Sequence, residues 1–479
     1  VKSPIFGGEF IAPTRDIAYN RAINLIPELV DTKDGKAVGG MYGAPGYTLF
    51  GSVGSGPLRA LYTATNGALY ALSGNELYSV NSSGAGTTRG SLSTSTSGPA
   101  QMTDNGTNNQ LLLVDGVAAY CLNTKTGAFT NALSGVPGVT PAVLAYQDGV
   151  AVINYTGTNQ WYQTNLGDLS TIQALNFSSA DSTPDPIVSM FDLHREVWLF
   201  KQKVIEVWVN GGLNGFLFQR LQGVQIPVGC AAPYSVARIG DSLVWLGGDE
   251  QGSGIVYRSN VYQAVPISTH FIAEVIQAMP VISDAIGFVE QTNQHWFYWL
   301  IFPTAGRTFC YDGTTRLWHE RAYFSQGVFS RHQANCHAFA YGQHLVGDYQ
   351  SGNIYSLNWN VYTDNGNTRK WLRTWRALPP DQVSESPLTF NSLQIDMGTG
   401  INVPPGALPQ YMLRWSDDGG YNWSNEMWTN NNLQGATNPR IIYQRLGATK
   451  RGGTYDRVFE LSGIDPVPIQ IIGAYVDAS

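Results

Sequence analysis

Leu111-Leu112-Leu113-Val114-Asp115-Gly116-Val117-Ala118-Ala119-Tyr120 sets two short apolar runs on either side of an Asp-Gly pair, and this stretch decides the fold. A two-residue hairpin turn needs positive φ, which Gly adopts freely and Asp tolerates, so the segment reads as a β-hairpin. The design recurs. Leu144-Ala145-Tyr146 reaches Asp148-Gly149 and continues as Val150-Ala151-Val152-Ile153. Asn66-Gly67 leads into residues 68–72, and Ser73-Gly74-Asn75 turns the chain into residues 77–80. Further hairpins are read in residues 197–200 with 204–209, 243–246 with 255–257, 296–302 with 307–311, and 344–346 with 354–357. Together they make about seven β-rich modules at roughly the 40–50-residue spacing of propeller blades. A β-propeller is therefore expected over residues 56–365. Closing blades into a ring hides sheet edges that would otherwise invite aggregation.

The flanks read differently. Thr363-Asp364-Asn365-Gly366-Asn367 and Ala377-Leu378-Pro379-Pro380-Asp381 break the pattern. Alternation then resumes at Leu393, Ile395 and Met397, at Tyr411, Leu413 and Trp415, at Val458, Phe459 and Leu461, and at Ile469, Ile471 and Ile472. It predicts a separate C-terminal β-sandwich over residues 366–479. Residues 1–55 have several Gly and Pro and weak periodicity. They are expected to hold the first strands and an extended N-terminal arm that docks on a neighbour. A single short helix is expected after Ser268-Thr269, with Phe271, Val275 and Ala278 on one face and Pro280 as its stop.

Composition narrows the function. Charged residues are 13% of the 479, against roughly 25% in an average soluble protein, while aromatics reach 12% and there are 53 glycines. Contact surfaces favour aromatics over Lys and Glu, so such a surface points to assembly with other proteins. The net charge is −7. A protein that grips nucleic acid neutralises phosphates with Lys and Arg, so this chain is no DNA binder by charge, although it could surround DNA without holding it. The four cysteines (Cys121, Cys230, Cys310, Cys336) lie far apart without a CxxC pair, which fits free thiols and synthesis in a reducing cytoplasm. No signal-peptide core and no membrane-spanning apolar run is seen.

Candidate sites are few. Ser416-Asp417-Asp418-Gly419-Gly420-Tyr421-Asn422-Trp423 matches the Asp-box pattern, with Ser416, Asp418, Gly420 and Trp423 as its structural residues. In such a box the Asp carboxylate accepts from turn amides, Gly permits positive φ and Trp packs beneath the hairpin. Several boxes across several blades would mark a sialidase-like glycosidase; there is one, outside the propeller. A glycosidase also needs paired carboxylates. Asp181, Asp185, Asp312 and Glu320 are present, but nothing pairs them, and Pro184-Asp185-Pro186 and Trp318-His319-Glu320-Arg321 read as a rigid turn and a polar hairpin closure. His332, Cys336, His337 and His344 fit no common zinc spacing. No catalytic residue, metal or cofactor is expected. Arg369-Lys370-Trp371-Leu372-Arg373-Thr374-Trp375-Arg376 is the one basic, aromatic run. Alternation places Arg369, Trp371, Arg373 and Trp375 on one face, read as an edge strand at a subunit or domain contact rather than a nucleic-acid groove.

The run Met412-Leu413-Arg414-Trp415-Ser416-Asp417-Asp418-Gly419-Gly420, with Arg445-Leu446-Gly447, Arg457-Val458-Phe459-Glu460-Leu461 and Ile472-Gly473-Ala474, resembles the tail-hub proteins of short-tailed bacteriophages, also called packaged-DNA stabilisation proteins or tail nozzles. Upstream, Asp168-Leu169-Ser170-Thr171, Leu175-Asn176-Phe177, Ser268-Thr269-His270, Tyr311-Asp312-Gly313, Trp318-His319-Glu320-Arg321, Asn24-Leu25-Ile26-Pro27-Glu28 and Gly46-Tyr47 carry the same resemblance. It implies a homo-oligomeric ring, usually a hexamer, in the virion tail. The ring would meet a head-to-tail adaptor ring above and fibre, spike or needle proteins below, with double-stranded DNA passing through unread. The alternative function is a glycan-binding or glycan-hydrolysing propeller.

Overall fold

A computed structural model describes the chain except residues 13, 16, 17, 31–36, 94–96, 134, 135, 137, 249–252, 383–385, 399–407, 431–440 and 450–456. The fold is all-β, and the chain divides into two compact units. One comprises residues 49–306 and 333–357; the other comprises residues 1–48, 307–332 and 358–479.

The first unit is a succession of four-strand meanders. Leu58–Thr63, Leu69–Ser73, Glu76–Val80 and Gly86–Ser91 form one sheet, and Gln101–Asn105, Gln110–Val114, Ala119–Asn123 and Phe129–Asn131 the next. Leu144–Gln147 to Asp168–Ser179, Ile187–Leu193 to Phe218–Ile226, and Ala237–Ile239 to Gln263–Pro266 repeat the plan. A hairpin of Ile286–Thr292 with His295–Phe302 follows, then Ala334–Ala340, Gln343–Asp348 and Asn353–Asn358, whose sheet is completed by Gly46–Ser52. This is a propeller-like domain. Apolar clusters lie between successive sheets; Leu111, Leu113 and Tyr120 pack with Leu72 and Leu77, while Leu112, Val114 and Cys121 pack with Ile153 and Tyr162. Strands buried on both faces explain why the runs are continuous rather than alternating.

Turn chemistry follows the sequence in one hairpin and departs from it in the other. Asp148 (φ 50) and Gly149 (φ 87) both adopt positive φ and join Gln147 to Val150 as a two-residue turn. At Asp115-Gly116 the loop has four residues, because the Asp115 carboxylate accepts from the amides of Val117 (3.0 Å) and Ala118 (2.8 Å), so the second strand starts at Ala119. The helix spans His270–Gln277 and Thr269 caps it by accepting from the Ile272 amide. Its buried face is Phe271, Ile272 and Ile276. Ala278 is exposed, so the stripe lies one residue away from the expected one.

The second unit contains a β-sandwich. One sheet runs Ile441–Ala448, Thr389–Met397, Gln470–Ala478, Gly39–Gly43, Leu25–Leu29, with Lys2–Ser3 also on Gln470–Ala478. The facing layer includes Met427–Asn430, Gln410–Ser416, Val458–Gly463, Trp371–Arg376 and Ala22–Ile23, the last parallel to Trp318–Glu320. Trp375, Phe390, Leu393, Leu413, Phe459, Leu461, Ile471 and Val476 fill the core. The N-terminal segment is therefore no free arm. Its strands pair with the C-terminal ones, because edges left open by the last hundred residues are completed by residues 2–43.

None of the four cysteines forms a disulfide. Burial pushes the thiols of Cys121 and Cys336 up to about 12 and that of Cys230 up to about 11, which suppresses the reactive thiolate. Native chain should therefore react with a thiol-specific disulfide reagent at neutral pH at least tenfold more slowly than urea-unfolded chain; equal rates would contradict the burial.

Candidate functional site

The basic aromatic run lies in Trp371–Arg376, and it is not an edge. The strand sits between Val458–Gly463 and Ala22–Ile23. Arg369, Trp371, Arg373 and Trp375 are all buried. The expected edge strand at a subunit or domain contact is corrected in that the strand is paired on both sides, and Arg369, Arg373 and Trp375 bond to the chain's own N-terminal segment. Arg373 Nε donates to Ile5 O (2.7 Å) and its Nη1 to Gly8 O and Arg21 O (both 3.3 Å). Trp375 Nε1 donates to Ser3 Oγ (2.8 Å), and Arg369 donates to Ala44 O. Burial pushes the Arg373 guanidinium down to about 10, and it stays charged at neutral pH.

Next to this clasp lies a charged cluster that spacing did not reveal. Arg307 makes a two-pronged bond to Glu320 (3.0 and 2.9 Å), Arg21 reaches Glu320 at 3.4 Å, and Glu9 lies 3.6 Å from Arg307. Burial raises both carboxyls, but for Glu320 the Arg307 and Arg21 cations overcome it and hold the group below its ordinary value. For Glu9, burial and the neighbouring Glu320 charge win and push it up to about 7.

The segment Ser416 to Trp423 is held together by local bonds. Asp418 shares a 2.7 Å bond with the Ser416 hydroxyl and accepts from the amides of Tyr421 (3.0 Å) and Asn422 (2.8 Å). Gly420 has φ 91, and a Cβ there would press on the Tyr19 ring at 3.1 Å. Trp423 is half-buried beneath the Arg414 guanidinium, 4.8 Å away. Partial burial raises the Asp418 carboxyl, but the Asn422 amide, the Ser416 hydroxyl and the other donors outweigh it and hold the group at about 2. Since the folded value lies below the unfolded one, ionised Asp418 stabilises the fold above about pH 4, and this is lost as pH falls through 2. Asp418→Ala should cost about 1–3 kcal/mol at pH 7. The difference from wild type, read by urea unfolding, should shrink below pH 4.

The other polar candidates hold local structure. Asp185 and Glu206 flank the buried Lys201 ammonium at 3.4 and 3.7 Å, Asp181 accepts from Asn159 (2.9 Å), and Asp312 accepts from the Thr314 amide (2.9 Å) and Thr315 hydroxyl (2.8 Å). His337 and His344 meet at 3.1 Å, and burial, then His344, pushes His337 down to about 3, so its ring is neutral. Among the described residues no group of three or more His, Cys, Asp or Glu could hold a metal ion.

A concavity lies in the propeller-like unit. Residues 59–62, 99–104, 144–146, 191–192, 286–288 and 335–337, with Tyr234 and Val236, line a cavity of about 640 Å³. The first strand of successive sheets supplies its wall, which is why scattered residues meet there. Tyr62 donates to Asp104 (2.6 Å), and the Thr65 amide (3.1 Å) and hydroxyl (3.1 Å) donate to the same carboxylate. Phe288 stacks against His337 and Trp299 (centroids 5.4 and 5.3 Å).

Residues 1–362 match the family described as bacteriophage P22 Gp10, β-propeller, and residues 370–479 match its β-sandwich partner. The chain belongs to the bacteriophage P22 Gp10 family. It is accordingly a structural protein of a phage tail. The order of the two matches follows the fold of the P22 Gp10 relatives: a propeller-like domain, then a sandwich. No curated protein sequence matches the chain. Among solved structures it is similar to a streptogramin B lyase (11% identity, 65% of this chain and 97% of that one, TM-score 0.45). It is also similar to the N-terminal domain of Nup159 (10%, 71% and 98%, 0.41) and to the Neurospora crassa Pan2 WD40 domain (11%, 69% and 97%, 0.42). The two matches cover the segments, from Asn24 to Ala474, on which the resemblance to proteins of short-tailed phage tails was read.

Proposed function

We propose that this protein forms the ring-shaped hub, or nozzle, of a short-tailed phage tail, continuing the DNA channel below the portal and adaptor. It assembles as a homo-oligomer, with six copies the expected number. It meets the adaptor ring above and fibre, spike or needle proteins below, retains packaged DNA and guides its ejection. The observation that carries this reading is the ordered match of both P22 Gp10 domains. Charge supports it: 35 acidic against 28 basic residues give a wall that does not trap phosphates, whereas each Lys or Arg contact would add salt-dependent grip on moving DNA.

Electron microscopy of the purified chain, alone and mixed with the adaptor, tests the assembly. A ring with a central channel is expected in at least the mixed sample. Particles that stay monomeric under both conditions would overturn the reading, as would a channel lined continuously by Lys and Arg.

A further inference from the structure

We propose that the cavity of the propeller-like unit is a binding site for small organic ammonium ions, and that a short diamine is the class of ligand it suits. The proposal stands on the wall chemistry and does not depend on the hub reading. Asp104 and Asp192 both face this cavity. Among the described residues neither forms an ion pair. Asp104 is bonded by the neutral donors Tyr62 and Thr65. Asp192 is accessible to water; burial still raises its carboxyl above the ordinary value, with the field of Arg238, from outside the lining residues, acting the other way. The lining arginine, Arg59, turns its guanidinium to the carbonyls of Gly98 (2.6 Å) and Gly74 (3.1 Å). The neutral His337 ring supplies no competing charge.

The remaining wall is aromatic. Tyr62, Tyr146, Phe191 and Phe288 line the same space. A ring face attracts a cation through its quadrupole, and carboxylates beside such rings complete the recognition of an alkylammonium group. A compact divalent metal favours several converging carboxylates, and among the described residues no group of three or more His, Cys, Asp or Glu could hold one. A diamine brings one positive charge for each carboxylate, and its methylene chain can lie against apolar ring surface. The volume lies within the range of small-molecule sites, roughly 300–1,000 Å³.

Isothermal titration of the full chain at low salt with 1,4-diaminobutane, and in parallel with butane-1,4-diol, tests the idea. The diamine should bind at one saturable site per chain and the uncharged diol should not bind. Asp192→Asn, at a water-accessible position, and Asp104→Asn should each weaken the diamine at least tenfold. Asp381→Asn, which removes the same charge from the exposed turn Pro380–Gln382, should leave affinity unchanged. If Asp104→Asn fails to fold by circular dichroism, Asp192→Asn decides the matter. Absence of saturable heat, equal binding of the diol, or unchanged affinity in Asp192→Asn would overturn the proposal.

Discussion

Arg457→Met should destabilise the sandwich-containing unit by about 3–5 kcal/mol, the range for breaking one side of a buried ion pair. The Arg457 side chain is 1% exposed and grips Asp417 through Nε (2.7 Å) and Nη2 (3.0 Å). Its Nη1 also donates to Leu446 O (2.8 Å), and the guanidinium lies over the rings of Phe390 (4.6 Å) and Trp415 (5.2 Å). Methionine keeps much of the packing but leaves the Asp417 carboxylate buried without a cation and strands a carbonyl acceptor. Asp417→Asn in the same chain should recover part of the loss, since it removes the orphaned charge. Urea unfolding followed by tryptophan fluorescence measures both. A loss below 1 kcal/mol for Arg457→Met would show that the pair is not a keystone.

The second large effect is a contrast within one cluster. Glu320→Gln should cost about 3 kcal/mol at pH 7.5, because it leaves Arg307 and Arg21 in a buried setting without their shared anion. Glu9→Gln should instead raise stability above wild type there, since burial and the Glu320 charge disfavour ionised Glu9 and the neutral amide escapes that penalty, while below about pH 4.5 the two chains should be alike. The pH dependence has opposite signs at the two sites. Glu9 has a folded value near 7, above its unfolded value, so between about pH 4.5 and 7 the folded chain holds a proton that the unfolded chain has released. Wild type therefore loses stability from Glu9 as pH rises through that window, and Glu9→Gln does not. Glu320, held below its ordinary value, gives stability that is present above the unfolded value and lost as pH falls. Unfolding free energies of the two variants at pH 5 and pH 8 separate these behaviours. Equal losses in both variants at pH 8 would refute the assignment.

What could be read from sequence was local. Asp148-Gly149 specifies its own turn, and the Asp-box from Ser416 to Trp423 builds itself from side chains within eight residues. In both, the donor and the acceptor are neighbours in the chain. Arg373 shows why the rest was hidden. Alternation gives the faces of its strand, but its acceptors are main-chain carbonyls of Ile5, Gly8 and Arg21, and a carbonyl carries no residue-type signal. The same gap turned a stitched-in N-terminal segment into an expected arm. The cavity wall that carries Asp104 and Asp192 was hidden too, because first strands of different sheets supply it.

The stitching of residues 2–43 into strands that begin at Trp371 has a consequence for how the polypeptide is made. Roughly 330 residues separate Gly43 from Trp371. At bacterial translation rates of about 5–20 residues per second, the opening segment waits on the order of 15–65 s for its partners to leave the ribosome. The propeller-like domain emerges within that interval, while the sandwich cannot close until its last strands exist. A prematurely terminated product would therefore lack a finished sandwich, and any virion contact built on that domain would be withheld from incomplete chains.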